Sequence, residues 1–214
     1  MSPSKSNRTV NRITLAALLV LLIPHVLPAQ TDEPKPATKD YSNVPPLSVA
    51  QKFNYRVIQA FGPRGLLDAG LGAAVDQARN EPHEWGGGAM AFADRFGSSF
   101  GAHLSSQSME FLLESALHED PRYFPSSQKG FGARMKHALF ATVVTRTDSG
   151  SQRIAVAKIA SAFGTGQLVN VWQPPSTGSV GDGLTRTGFI FAEHAAWNVA
   201  QEFIPRLRAK SLRQ

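Results

Sequence analysis

Apolar residues recur three and four positions apart from about residue 47 almost to residue 208, and runs that alternate strictly between apolar and polar are hard to find. That period belongs to helices with one buried stripe, so the expected fold is all-α, a compact bundle of about five to six helices. The spacing predicts helices over about 47–60, 66–80, 89–117, 131–145, 151–171 and 184–208, within a single helical domain covering 47–208. Backbone breakers stand between them: the turn Gly62-Pro63-Arg64-Gly65, Pro82 with Gly86, Gly87 and Gly88, Pro121, and the Pro- and Gly-rich stretch 173–183.

Three of these helices also carry small residues at every fourth position. Ala89, Ala93, Gly97, Gly101 and Ser105 line up in the third; Ala160 with Gly164, and Ala162 with Gly166, in the fifth; Gly188, Ala192, Ala196 and Ala200 in the last. A helical glycine costs roughly 1 kcal/mol against alanine, so close helix approach is expected to return more than that. The stripe Ala89, Ala93, Gly97 and Gly101 is therefore the expected glycine-zipper-like packing or binding surface. Helices that meet in lipid use the same device. Asp94, Arg95, Glu110 and Glu114 in the third helix, and Glu193 and Glu202 in the last, make these segments poor independent spans, because a carboxylate in hydrocarbon costs several kcal/mol.

The N-terminus bears on location. Lys5, Arg8 and Arg12 precede the apolar run 13–23, which is too short to cross a bilayer and is closed by Pro24 and Pro28 before Ala29. Residues 1–29 read as a secretory signal peptide and 30–46, with four prolines, as a disordered leader; 209–214 form a basic tail. The expected location is the periplasm or cell envelope. Removing 1–29 leaves 185 of 214 residues and lowers the formal charge from +6 to +3. Scattered and mild basicity of this kind excludes a nucleic-acid partner. With no cysteine in the chain, disulfides, thiolate nucleophiles and Cys-ligated metals are excluded too.

Four stretches offer candidate chemistry. On the third helix His103, Gln107, Glu110, Glu114 and His118 share one face. Di-iron bundles use Glu-x-x-His steps; here the step is four, so the expectation is a solvated face, with Met109, Leu112, Leu113, Ala116 and Leu117 on the core side and no metal or other cofactor. Glu84, in Glu81-Pro82-His83-Glu84-Trp85, lies beside a glycine triplet that suits a turn or a lid. In 143–150, Asp148 or Ser149 suits an N-cap for the fifth helix, and Arg146 suits a carboxylate partner. A Ser149, Asp148 and histidine triad lacks the G-x-S-x-G elbow. Finally, His118-Glu119-Asp120-Pro121-Arg122-Tyr123-Phe124-Pro125 ends the longest helix. Adjacent ionisable side chains diverge on a helix, so this segment is expected to be a terminating latch against 143–150, with Tyr123 and Phe124 plugging the core.

The words EWGGG, RFGSSFG, HEDPRYF and VVTRTDSG, in that order, resemble an uncharacterised family of exported bacterial envelope proteins. The resemblance covers roughly 48–208 and implies a single compact unit without implying an activity. The expected function is structural or binding, at a membrane surface or in a homo-oligomer. The alternative is a hydrolytic or metal-assisted periplasmic enzyme using His118, Asp120, Arg122 and Arg146, with Glu84.

Overall fold

The computed structural model describes Tyr41 and residues 44–204. The expected signal segment 1–29, most of the leader and the tail 209–214 lie outside the described residues. Six helices form the bundle: α1 (Val49–Phe61), α2 (Pro63–Arg79), α3 (Gly88–Leu117), α4 (Phe131–Phe140), α5 (Val156–Leu168) and α6 (Val180–Phe203), with short 3₁₀ turns at His83–Trp85 and Val169–Val171. The fold is all-α apart from one small hairpin, β1 (Val144–Arg146) antiparallel to β2 (Gln152–Ile154), with Thr145 opposite Arg153.

Local chemistry sets the boundaries. Ser48 and Gln51 close a capping box on α1, and Ser179 with Asp182 does the same for α6, which begins four residues earlier than the spacing predicts. α3 stops at His118, which adopts the left-handed conformation at φ 55° and caps the helix through its N–H to Glu114. The expected helices over 131–145 and 151–171 are both trimmed by the hairpin. Val143, Val144 and Thr145 are β-branched, and Gly150, at φ 89°, allows the tight return from Thr147 to Ser151. Asp148 and Ser149 consequently sit in the hairpin turn rather than at the N-cap of α5.

α2 lies along α3, α5 packs between α3 and α6, and α1 crosses α3. Close approach is made through small residues, though not through all the predicted ones. At the α5–α6 crossing a Cβ added to Gly166 would lie 2.4 Å from the carbonyl oxygen of Gly183. By contrast Ala89, Ala93 and Gly97 are exposed, and Gly101 touches only the edge of Trp172. That stripe faces outward, as a shallow trough between Trp85 and Trp172.

On α1 and α3 the polarity is inverted, and the largest fully buried side chains among the described residues include Arg95, Lys52, Glu110 and Glu114, beside a core rich in alanine. The expected solvated face of α3 is its buried face: His103, Gln107, Glu110 and Glu114 are covered, and only His118 is exposed. Leu112, expected on the core side, is 63% exposed. On α1 the buried residues are Lys52, Tyr55, Arg56 and Ala60, while Val49, Phe53, Val57 and Phe61 form an exposed apolar stripe. Exposed large apolar side chains also occur on α2 (Leu66, Leu67, Leu71), α4 (Phe131, Leu139, Phe140) and α5 (Ile159, Phe163, Leu168). Outside rings pair up, Phe53 with Phe111 and Phe61 with Phe100. Among the described residues, no helix is long and apolar enough to cross a membrane.

Candidate functional site

The charged interior is organised around Arg56. From α1 its guanidinium donates to both oxygens of Glu114, to Gln107 Oε1 at 2.9 Å, and lies 2.5 Å from Glu110 Oε2. Glu110 Oε1 in turn meets Ser106 at 3.3 Å and His194 Nε2 at 3.2 Å, which ties α6 to the cluster. Two carboxylates thus share one fork, whose geometry suits bidentate pairing. Burial alone would raise Glu110, but Arg56 and His194 outweigh it and hold it well below the usual range. Glu114 goes the other way: burial first, then the neighbouring Glu110 charge, push it up to about 7 despite Arg56. Lys158, facing the same carboxylates, is lowered by its burial. The cluster therefore contains one carboxyl poised near neutral pH while only 1% exposed.

Around it, each remaining buried charge finds its own partners. Lys52 Nζ bonds Asp148 at 2.8 Å and the Glu114 carbonyl at 3.3 Å, joining α1 to the hairpin turn. Arg95 on α3, fully buried, donates to Gln77 and to the carbonyls of Glu81, Pro82 and Gly86, so the glycine-rich loop is clamped from below. Glu202 near the end of α6 accepts from Tyr123 Oη and Ser126 N, both at 2.8 Å, and from Arg134.

The segment 118–125 is laced to the hairpin. Asp120 N donates to the Arg146 carbonyl, Asp148 N donates to the His118 carbonyl, and Glu119 pairs with Thr147 as an isolated bridge. Glu119 does the work expected of Asp148 or Ser149: its carboxylate accepts from Val156 N at 3.2 Å and Ala157 N at 3.3 Å, capping α5 from a distant part of the chain, and takes Arg153 as counter-ion. Arg122 turns back on Asp120, through Nε at 2.9 Å and Nη2 at 2.6 Å, rather than on Glu119 or Asp148. Arg146 donates to the Tyr41 carbonyl at 2.6 Å, and both guanidinium groups lie over the Phe124 ring, at 5.5 and 4.9 Å. Asp120, Arg122 and Arg146 are thus brought together, and Arg122 and Arg146 line a cleft of about 660 Å³ with Tyr41, His137 and Lys158. His118 is not with them; its side chain is 80% exposed, 3.5 Å from Asp148. Glu84 is elsewhere again, accepting from Ser176 at 2.6 Å.

A second constellation was not foreseen from the sequence. Asp68 on α2, His103 on α3 and Glu193 on α6 place their ligating atoms within 4.8 Å of one another, the only such group of three among the described residues. Asp68 sits in the amphipathic helix α2 and Glu193 beside His194, with no short spacing to link them; only the fold joins them. Burial lowers His103, and Glu193 is raised by desolvation and then by Asp68.

No protein-family model, no curated protein and no solved structure matches this chain.

Proposed function

We propose that the chain is an envelope protein that works at a membrane surface, with its apolar outer faces against lipid and its charged interior holding the bundle together. The observation that carries this reading is the inversion of polarity: Val49, Phe53, Val57 and Phe61 point outward while Lys52 and Arg56 of the same helix point inward. A contiguous exposed apolar stripe of this kind marks an interaction surface. Further exposed apolar side chains lie on α2, α4 and α5, so one two-fold interface would leave most of them uncovered. Moving a large apolar side chain out of water gains about 1.5–3 kcal/mol when complete; at 36–60% exposure the α1 stripe alone is worth roughly 4 kcal/mol. The likeness to exported envelope proteins agrees with this placement. Pairing of the chain with itself fits one further observation, the open trough along Ala93, Gly97 and Gly101 between Trp85 and Trp172.

The test is flotation of the full chain with phospholipid vesicles, followed by a carbonate wash. The protein is expected to float and to resist the wash, and Phe53→Ser with Phe61→Ser to lose binding several-fold while keeping the helical circular dichroism. Complete recovery of a monodisperse monomer in the soluble fraction would refute the reading.

A further inference from the structure

We propose that Asp68, His103 and Glu193 form a binding site for a divalent transition-metal ion of the Zn²⁺ class. His103 Nδ1 lies 3.9 Å from Asp68 Oδ2 and 4.0 Å from Glu193 Oε1. With the third side no longer than 4.8 Å, the point equidistant from the three atoms lies at most about 2.5 Å from each, within a few tenths of an ångström of zinc–nitrogen and zinc–oxygen bond lengths. Small rotamer adjustments close that gap.

The histidine is prepared for the role. Its Nε2 lies 3.2 Å from the Gln59 carbonyl, and a carbonyl only accepts, so Nε2 carries the hydrogen and Nδ1 the lone pair. A backbone carbonyl that fixes the tautomer and ring plane is what a metal-binding histidine ordinarily has behind it. The side chain is 5% exposed, and Nδ1 faces two carboxylate oxygens at distances too long for hydrogen bonds. A cation held among the three would take the Nδ1 lone pair and pair with both carboxylates at once.

Arg64 bridges the two carboxylates. Its Nε is 3.3 Å from Asp68 Oδ2 and its Nη2 3.6 Å from Glu193 Oε1, while its guanidinium stacks on Trp197 at 4.9 Å. Glu193, 35% exposed, gives an entry route and leaves outer positions to water. One imidazole and two carboxylates, with open positions, suit borderline ions better than Ca²⁺ or Mg²⁺.

The experiment is equilibrium dialysis and calorimetric titration of the full chain with Zn²⁺, in vesicle-free buffer, so that its result is independent of membrane binding. Co²⁺ visible spectra report the geometry. One ion per chain is expected. His103→Ala and Glu193→Gln should each weaken binding at least tenfold, while the double variant His83→Ala, His118→Ala, which removes exposed histidines, should bind as the parent does. If His103→Ala fails to fold by circular dichroism, Glu193→Gln, altered at the solvent edge, decides. No stoichiometric binding by the parent, parent-like affinity in Glu193→Gln, or loss of binding in the His83, His118 variant would overturn the site.

Discussion

Replacing Arg56 by methionine keeps most of the side chain's apolar length and removes the guanidinium alone. That group serves Gln107, Glu110 and Glu114, which are 3%, 1% and 1% exposed, so its loss strands the Glu114 carboxylate and the Gln107 amide and leaves Glu110 only Ser106 and His194. Breaking a buried pair by removing one partner costs about 3–5 kcal/mol, a large share of the roughly 5–15 kcal/mol by which a domain is stable. At about 2–4 °C per kcal/mol for a domain of this size, the melting temperature should fall by roughly 6–20 °C. The deficit should be larger at pH 8 than at pH 5, because the two carboxyls escape part of the penalty by taking up protons. Urea unfolding followed by far-ultraviolet circular dichroism at both pH values measures it. Adding Glu110→Gln and Glu114→Gln should recover about half or more of the loss, since no uncompensated charge then remains. A loss below about 1 kcal/mol for Arg56→Met would mean the cluster behaves as a hydrated surface pair, and would refute the claim of a charged interior.

Two further outcomes follow from the same groups. Glu114 rises from 4.5 to about 7 on folding, so between those values the folded chain binds the extra proton: its contribution is fully present below about pH 4.5 and is lost as the pH climbs through 7. The parent should therefore lose up to about 3 kcal/mol from this group across that window, and Glu114→Gln should show a flatter profile in the same denaturation series. Glu119→Gln keeps the shape of the α5 cap but removes its charge and one acceptor; about 1–3 kcal/mol of destabilisation is expected, with faster amide exchange at Val156 and Ala157 than at Ala162. Equal exchange at all three amides would show that Glu119 is not the cap.

The helices were legible because their period is a property of the chain itself, and the breakers at Gly62–Gly65, Pro82 and Pro121 fall where helices stop. Which face turns inward was not. Val49, Phe53, Val57 and Phe61 recur every four residues, but so do Lys52 and Arg56 on the opposite side, and a moment gives the axis of amphipathicity without its sign. The sign is decided by partners on other helices: Glu110 and Glu114 await Arg56, and Glu202 awaits Tyr123 and Arg134. The latch at 118–125 was readable from Pro121 and the diverging side chains, whereas the cap that Glu119 lends to α5 depends on a contact 37 residues away. Asp68, His103 and Glu193 belong to three helices and share no spacing, so only packing could bring them together.

The inversion also explains why charged residues that argue against a spanning segment do not argue against contact with lipid. Arg95, Glu110, Glu114 and Glu202 are each 1% exposed or less, so none of their charges meets the outside medium. In water such pairs roughly break even against an apolar core, while the exposed Phe and Leu side chains are a cost. Against lipid the apolar exterior loses that cost, and helix cohesion has to come from close packing and internal polar contacts, because lipid supplies no hydrophobic drive between helices. Gly166 against Gly183 provides the first, and the Arg56 cluster the second.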